Sequence, residues 1–235
     1  MMQVNKIIAI HQPNFFPWLG YFDKIVQSDA FVILDDVQFP KKGGSWSNRV
    51  KLLLSCEARW VTAAIDRHYH GVKNINEMKF SNDNSWQEKM VKSIEINYIK
   101  SPFFSEIFSF LEPLINNSEN NIADFNNKAI LNICNKIGIN TDKIYWSSKL
   151  PHNGVSNELL ISLTKALGGN AYMCGGGAEE YQDESIFIKS GINLMHQNFK
   201  HPKYTQHNSN EFIAGLSIID TLMNLGVEQT RNLFN

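Results

Sequence analysis

The chain has 235 residues, with 22 Lys and Arg against 23 Asp and Glu and a formal net charge of −1. That balance gives no long-range attraction to phosphate backbones or anionic lipid, which argues against a binder of nucleic-acid duplexes or membrane surfaces. With 43% hydrophobic and 11% aromatic residues, the composition supplies an ordinary buried core and excludes a disordered chain. In chain order, Ile7 to Ile10 is a short β-branched apolar run that reads as a buried strand, ended by Pro13. Trp18, Tyr21, Phe22, Ile25 and Val26 fall at helical spacing. Phe31 to Leu34 is a second buried strand with Asp35 and Asp36 at its carboxyl end. Strand, helix and strand over about 30 residues form a βαβ unit with a parallel pair and a right-handed crossover. A third strand is expected over Trp60–Ile65, and helices over 85–98, 103–115 and 122–137, the last stopped at Gly138. Strands at 144–146, 171–174 and 192–196, a helix at 158–167 and a closing helix from Ser217 ending at Gly226 complete the reading. The expected fold is a single α/β domain over 1–235, a mostly parallel Rossmann-like sheet with a helical insertion at about 85–140.

Cys56, Cys134 and Cys174 are odd in number and form no CxxC pair, which fits neither a disulfide framework nor a zinc site and suits a reducing compartment. The N-terminal apolar run of four residues is too short for a signal-peptide core or a membrane span, so the expectation is cytoplasmic, without membrane insertion. No metal site is expected.

Ligands of parallel sheets bind outside the carboxyl ends of the strands, which directs attention to four clusters. The first is the turn that begins His11-Gln12-Pro13-Asn14, where His11 is a candidate base or hydrogen-bond donor and Gln12 and Asn14 are candidate ligand donors. Trp18 and Phe22 are assigned to the core. Asp35 and Asp36 would point to opposite faces if the strand pattern persists, leaving one to serve as a sugar anchor or an orienting partner for a base. Gln38 and Arg49 follow, the latter able to clamp a phosphate or carboxylate bidentately. In the second cluster, Ser156 stands before a helix, as its cap or as a substrate contact. The third is Gly175-Gly176-Gly177, a strand opening into glycines that allow close backbone approach, without the Lys-Ser/Thr of a Walker A loop. Cys174 reads as a buried thiol. The fourth packs His201, Tyr204 and Gln206 into an irregular segment, a candidate pocket wall with His201 as the alternative base.

Together these segments resemble the WbqC-like protein family almost end to end. The resemblance is carried by the string from His11 to Ile25, by Leu34-Asp35-Asp36-Val37-Gln38-Phe39, by Gly154 to Leu160, by Tyr172 with Gly175, and by His201 to Gln206 with Leu216 to Asp220. It implies a place among bacterial surface-polysaccharide and O-antigen gene sets, where nucleotide-linked amino sugars are modified, often by acylation. Cys174 departs from the small hydroxyl residue usual at its position. A fold-level similarity to the HxGH turn of nucleotidylyltransferases also exists, but Trp18 and Tyr21 occupy both histidine places, so the electrostatic partners of that adenylyl transfer are missing. The function expected is acyl or aminoacyl transfer onto the amine of a nucleotide-linked amino sugar, from an activated acyl donor. An ATP-dependent amide ligase or nucleotidyltransferase-like enzyme, and a non-catalytic sugar-nucleotide binder, are the alternatives.

Overall fold

A computed structural model describes residues 5–83, 85–176, 182–207 and 209–234. Gly177, the last glycine of the third cluster, lies outside them. The chain forms two compact units. The first takes the chain up to Gln12, Gly20–Asp36 and Ile139–Lys200, and the second takes Pro13–Leu19, Val37–Gly138 and the chain from His201 onward.

In the first unit, β1 (Ile7–His11), β2 (Ala30–Ile33), β5 (Ile144–Trp146), β6 (Ala171–Cys174) and β7 (Asn193–His196) build one sheet in the order β5-β2-β1-β6-β7. Every pair is parallel. The strands are short, and the central β1, β2 and β6 are largely buried because helices cover them, whereas the edge strands β5 and β7 are more open. Ile8, Ile10, Val32, Tyr172 and Cys174 face α5 (Asn157–Ala166) and α6 (Glu184–Lys189), whose Ile161, Leu163 and Phe187 join the same core. The opposite face receives α1 (Leu19–Gln27), where the rings of Tyr21 and Phe31 meet edge to face at 5.2 Å. Ile8 and Val32 have no exposed surface, and each such side chain contributes about 1.5–3 kcal/mol by burial. Numbered in chain order within the sheet, the strands run 3-2-1-4-5, the order of doubly wound nucleotide-binding folds, with its switch point between β1 and β6.

The second unit holds the helices expected near 85–140, namely α2 (Ser85–Tyr98), α3 (Phe104–Ile115) and α4 (Ile122–Ile137), together with α7 (Ile218–Asn232). Phe15, Phe80, Trp86 and Phe125 pack ring to ring at its centre, with centroids 4.8–6.5 Å apart. The strand expected at Trp60–Ile65 is corrected. Residues Glu57–Thr62 form β4, which pairs antiparallel with an unanticipated β3 (Arg49–Leu54) in a two-stranded sheet of its own. Ser55 and Cys56, at φ 53° and 66°, make the two-residue turn that right-handed strand twist favours. The closing helix breaks at Gly226 as expected, at φ 72° and ψ −176°, and a further helical stretch then runs to Asn232, where Thr230 Oγ1 donates to the Gly226 carbonyl at 2.6 Å.

Candidate functional site

Four strand ends of the first unit carry chemistry. β1 closes on His11, β6 on Cys174 followed by Gly175, β7 on His196, and β2 is followed by Asp35 and Asp36. The strand pattern stops at Ile33, so alternation no longer separates the two carboxylates, and both reach the Ser147 hydroxyl. Their surroundings then diverge. Asp35 is buried and accepts from Ser147 Oγ at 3.0 Å, the Ser148 amide at 3.0 Å and Ser148 Oγ at 2.8 Å. Its carboxylate therefore holds the single helical turn Ser147–Lys149 that follows β5. Asp36 takes a different partner. Its Oδ2 lies 2.8 Å from Nε2 of His152, and the two side chains retain 17% and 24% exposure. This pair is shielded enough for a directional charge-assisted bond and open enough to meet a solute. A carboxylate only accepts, so Nε2 carries a proton, and in the neutral imidazole Nδ1 is the atom that keeps the lone pair. His152 lies within the second cluster, which runs from Pro151 to Leu160, but was not singled out there as a site residue.

His11 lies at the switch point. Its Nδ1 donates to the Gln12 carbonyl at 3.2 Å and its ring meets Tyr21 edge-on at 4.9 Å. Burial, with the Lys24 charge adding to it, pushes the imidazole down to about 3, so the ring is neutral at physiological pH. A neutral ring of such low basicity suits hydrogen bonding better than proton abstraction. Lys24 itself is buried, donates to the Ile10 carbonyl at 2.9 Å, and is lowered to about 8 by burial. Cys174 Sγ lies 3.2 Å from His196 Nδ1 and 3.3 Å from the Met195 carbonyl. Ser156, at φ 53°, occupies the N-cap position of α5 without a side-chain cap bond, and added Cβ atoms at Gly175 and Gly176 would meet open space.

The remaining candidates, Asn14, Gln38, Arg49, His201, Tyr204 and Gln206, belong to the second unit. Tyr204 Oη donates to Asp220 Oδ2 at 2.7 Å, Gln206 Nε2 to the same oxygen at 2.9 Å, and Tyr98 Oη to Oδ1 at 3.1 Å. Asp220 is fully buried. Burial raises its carboxyl and the three donors oppose that shift. Tyr204 and Gln206 thus spend their polar ends inside the unit, joining the segments His201 to Gln206 and Leu216 to Asp220 that stood out in the sequence. His201 is half-buried, which lowers its imidazole. Gln38 is exposed and bridges to Asn74. Asn14 follows a strained turn geometry: Phe16, ahead of Pro17, has φ 43°, a region a bulky residue before proline rarely adopts. Ser217 Oγ holds the Phe16 carbonyl at 2.7 Å, and the Ile218 amide holds that of Pro17 at 2.8 Å.

A cleft of about 410 Å³ beside Phe80, Trp86, Asn116 and Asn117 contains none of the candidates. Among the described residues no group of three or more His, Cys, Asp or Glu is placed to hold a metal ion, and no helix is long and apolar enough to cross a membrane.

The sequence is similar to the uncharacterized protein Rv1507c of Mycobacterium tuberculosis (strain ATCC 25618 / H37Rv), with 30% identity over 227 residues that cover 95% of each chain. No solved structure matches. The WbqC-like protein family matches over residues 12–232, which take in the Asp36–His152 pair, the strained turn and the Asp220 network; the chain belongs to that family.

Proposed function

We propose that the protein transfers an acyl or aminoacyl group from an activated donor onto the amine of a nucleotide-linked amino sugar, a step in building bacterial surface polysaccharide. The observation that carries this reading is the Asp36–His152 pair, 2.8 Å apart, beside the carboxyl end of β2 in a sheet ordered like nucleotide-binding folds. Amide formation needs a base for the proton of the attacking amine and donors for the oxyanion that develops on the acyl carbonyl. His152, oriented by Asp36 through Nε2, supports the role of base, with Nδ1 of the neutral ring as the accepting atom. The sugar nitrogen bonds to the acyl carbon, the bond from that carbon to the donor's sulfur or oxygen breaks, and the proton passes through His152 to the departing group. Gln12 and the glycine amides at Gly175 and Gly176 are the donors in this reading, and neutral His11 is a hydrogen-bonding partner. The test incubates the purified chain with UDP- and dTDP-linked amino sugars and acyl-CoA thioesters. A product heavier by one acyl group is expected without ATP. Product only with ATP and Mg²⁺ would replace this route with amide ligation, and saturable sugar-nucleotide binding without any product would make the protein a binder.

A further inference from the structure

The outer face of the β3–β4 hairpin carries an aromatic ledge that the reaction above does not use. Arg49 and Lys51 alternate onto one side of β3, and Trp60 lies opposite Lys51 on β4. The Arg49 guanidinium stacks over the Trp60 ring at 4.2 Å and Lys51 Nζ stands 5.1 Å from the same ring. Trp46 meets Trp60 at 4.9 Å and Trp18 at 5.3 Å, so three indoles run in series. Trp46 and Trp60 are 41% and 39% exposed, an unusual surface for the largest side chain.

Among the described residues no carboxylate pairs with Arg49 or Lys51, whereas Arg59, the hairpin's other guanidinium, pairs with Glu57 at 3.1 Å. The Arg49 side chain makes no hydrogen bond among the described residues, and its Nε is shut off from solvent without an acceptor. Leaving such a donor unmade is costly unless something supplies an acceptor. The local backbone is shaped around this side chain. A Cβ at Gly44 would come within 2.6 Å of Arg49 Cδ and 2.7 Å of its Nη1, so glycine there lets the guanidinium lie against the loop. Beside the ledge, Asn14 is 1% exposed and both its amide atoms lack partners. It is tied to this neighbourhood because the Phe15 amide donates to the Trp46 carbonyl at 2.8 Å and Asn126 Nδ2 bridges the carbonyls of Pro13 and Ser47 at 2.9 and 2.8 Å.

A ligand that satisfies this surface needs a flat π-face for the indoles and an anionic group for the guanidinium. A neutral sugar offers no charge and inorganic phosphate offers no face. We infer that the ledge of Trp46 and Trp60 with Arg49 binds a nucleotide, the base against the indoles and a phosphate on the guanidinium fork. This goes beyond the reading under Proposed function and does not depend on it.

The test measures tryptophan quenching and calorimetric binding of UMP, AMP, uridine and inorganic phosphate to the full chain. A nucleotide is expected to bind saturably, with uridine and phosphate each at least about tenfold weaker, since each keeps half the contacts. Trp60→Leu, Arg49→Lys and Gly44→Ala are each expected to weaken the nucleotide about tenfold while thermal melting shows them folded; Arg49→Lys keeps the charge and loses only the fork. Absence of nucleotide binding at millimolar concentration, or affinity unchanged in Trp60→Leu and Arg49→Lys, overturns the inference. Acyl transfer without nucleotide binding at the ledge would sink the ledge and leave the reaction standing. Nucleotide binding at the ledge without acyl transfer would do the reverse.

Discussion

A carboxylate and its imidazole stand 116 positions apart in the chain and 2.8 Å apart in the fold. Asp36 was legible in the sequence because it follows a buried strand, where parallel sheets place ligands. His152 was not, because nothing within its own stretch distinguishes it from a loop histidine, and only the pairing of β2 with β5 delivers it. His11 shows the opposite failure. Its position at a strand end was readable, yet its basicity depends on burial and on the neighbouring Lys24 ammonium, which no local pattern reveals. That environment has a measurable consequence. The folded imidazole sits at about 3 against about 6.5 in the unfolded chain, so the native state binds fewer protons. Its contribution to stability is complete above pH 6.5 and is lost as pH falls toward 3. Between pH 6.5 and 5 the loss is on the order of 2 kcal/mol at about 1.36 kcal/mol per pH unit. Urea unfolding at pH 5, 6 and 7 is expected to show this slope in the native protein and to show it flattened in His11→Asn, whose amide still reaches the Gln12 carbonyl. Equal slopes in the two proteins would contradict the account of His11.

At the scale of elements, the central strands β1, β2 and β6 of the parallel sheet were readable because each is a short, largely buried apolar run bounded by turn residues. The hairpin escaped notice for a matching reason. In β3, Arg49 and Lys51 interrupt the apolar residues, β4 is exposed along most of its length, and Ser55-Cys56 lacks the Asn-Gly signature of its turn. In α7, Gly226 interrupts the helix where the sequence placed its end, and only the helical stretch beyond it was not anticipated. A Cβ at Gly226 would approach the Phe103 ring at 2.5 Å, and φ 72° is strained for any other residue. Gly226→Ala is therefore expected to destabilise the protein by about 2–4 kcal/mol, through steric overlap and backbone strain together. Thermal unfolding measures this, and a melting temperature equal to the native protein's would show that the helix can straighten without cost.

At the scale of the molecule, doubly wound sheets gather chemistry at their carboxyl edge because every parallel strand ends there. In the first unit His11 lies beside Lys24, and Asp36 beside His152, four residues from separate stretches of chain. Fold class was legible from the alternation of strands and helices. The Asp36–His152 pair was not, since it arises from sheet order rather than from any contiguous motif. The proposed chemistry asks the pair to act as one device: Asp36 fixes the tautomer and His152 moves the proton. The most direct measurement is the rate of acyl transfer to a nucleotide-linked amino sugar in the native protein, in Asp36→Asn, in His152→Ala and in the double variant. Each single change is expected to slow turnover about 10²–10⁴-fold, and the double variant to be no slower than His152→Ala alone. Native rates in both single variants, or losses that simply multiply in the double variant, would contradict the account.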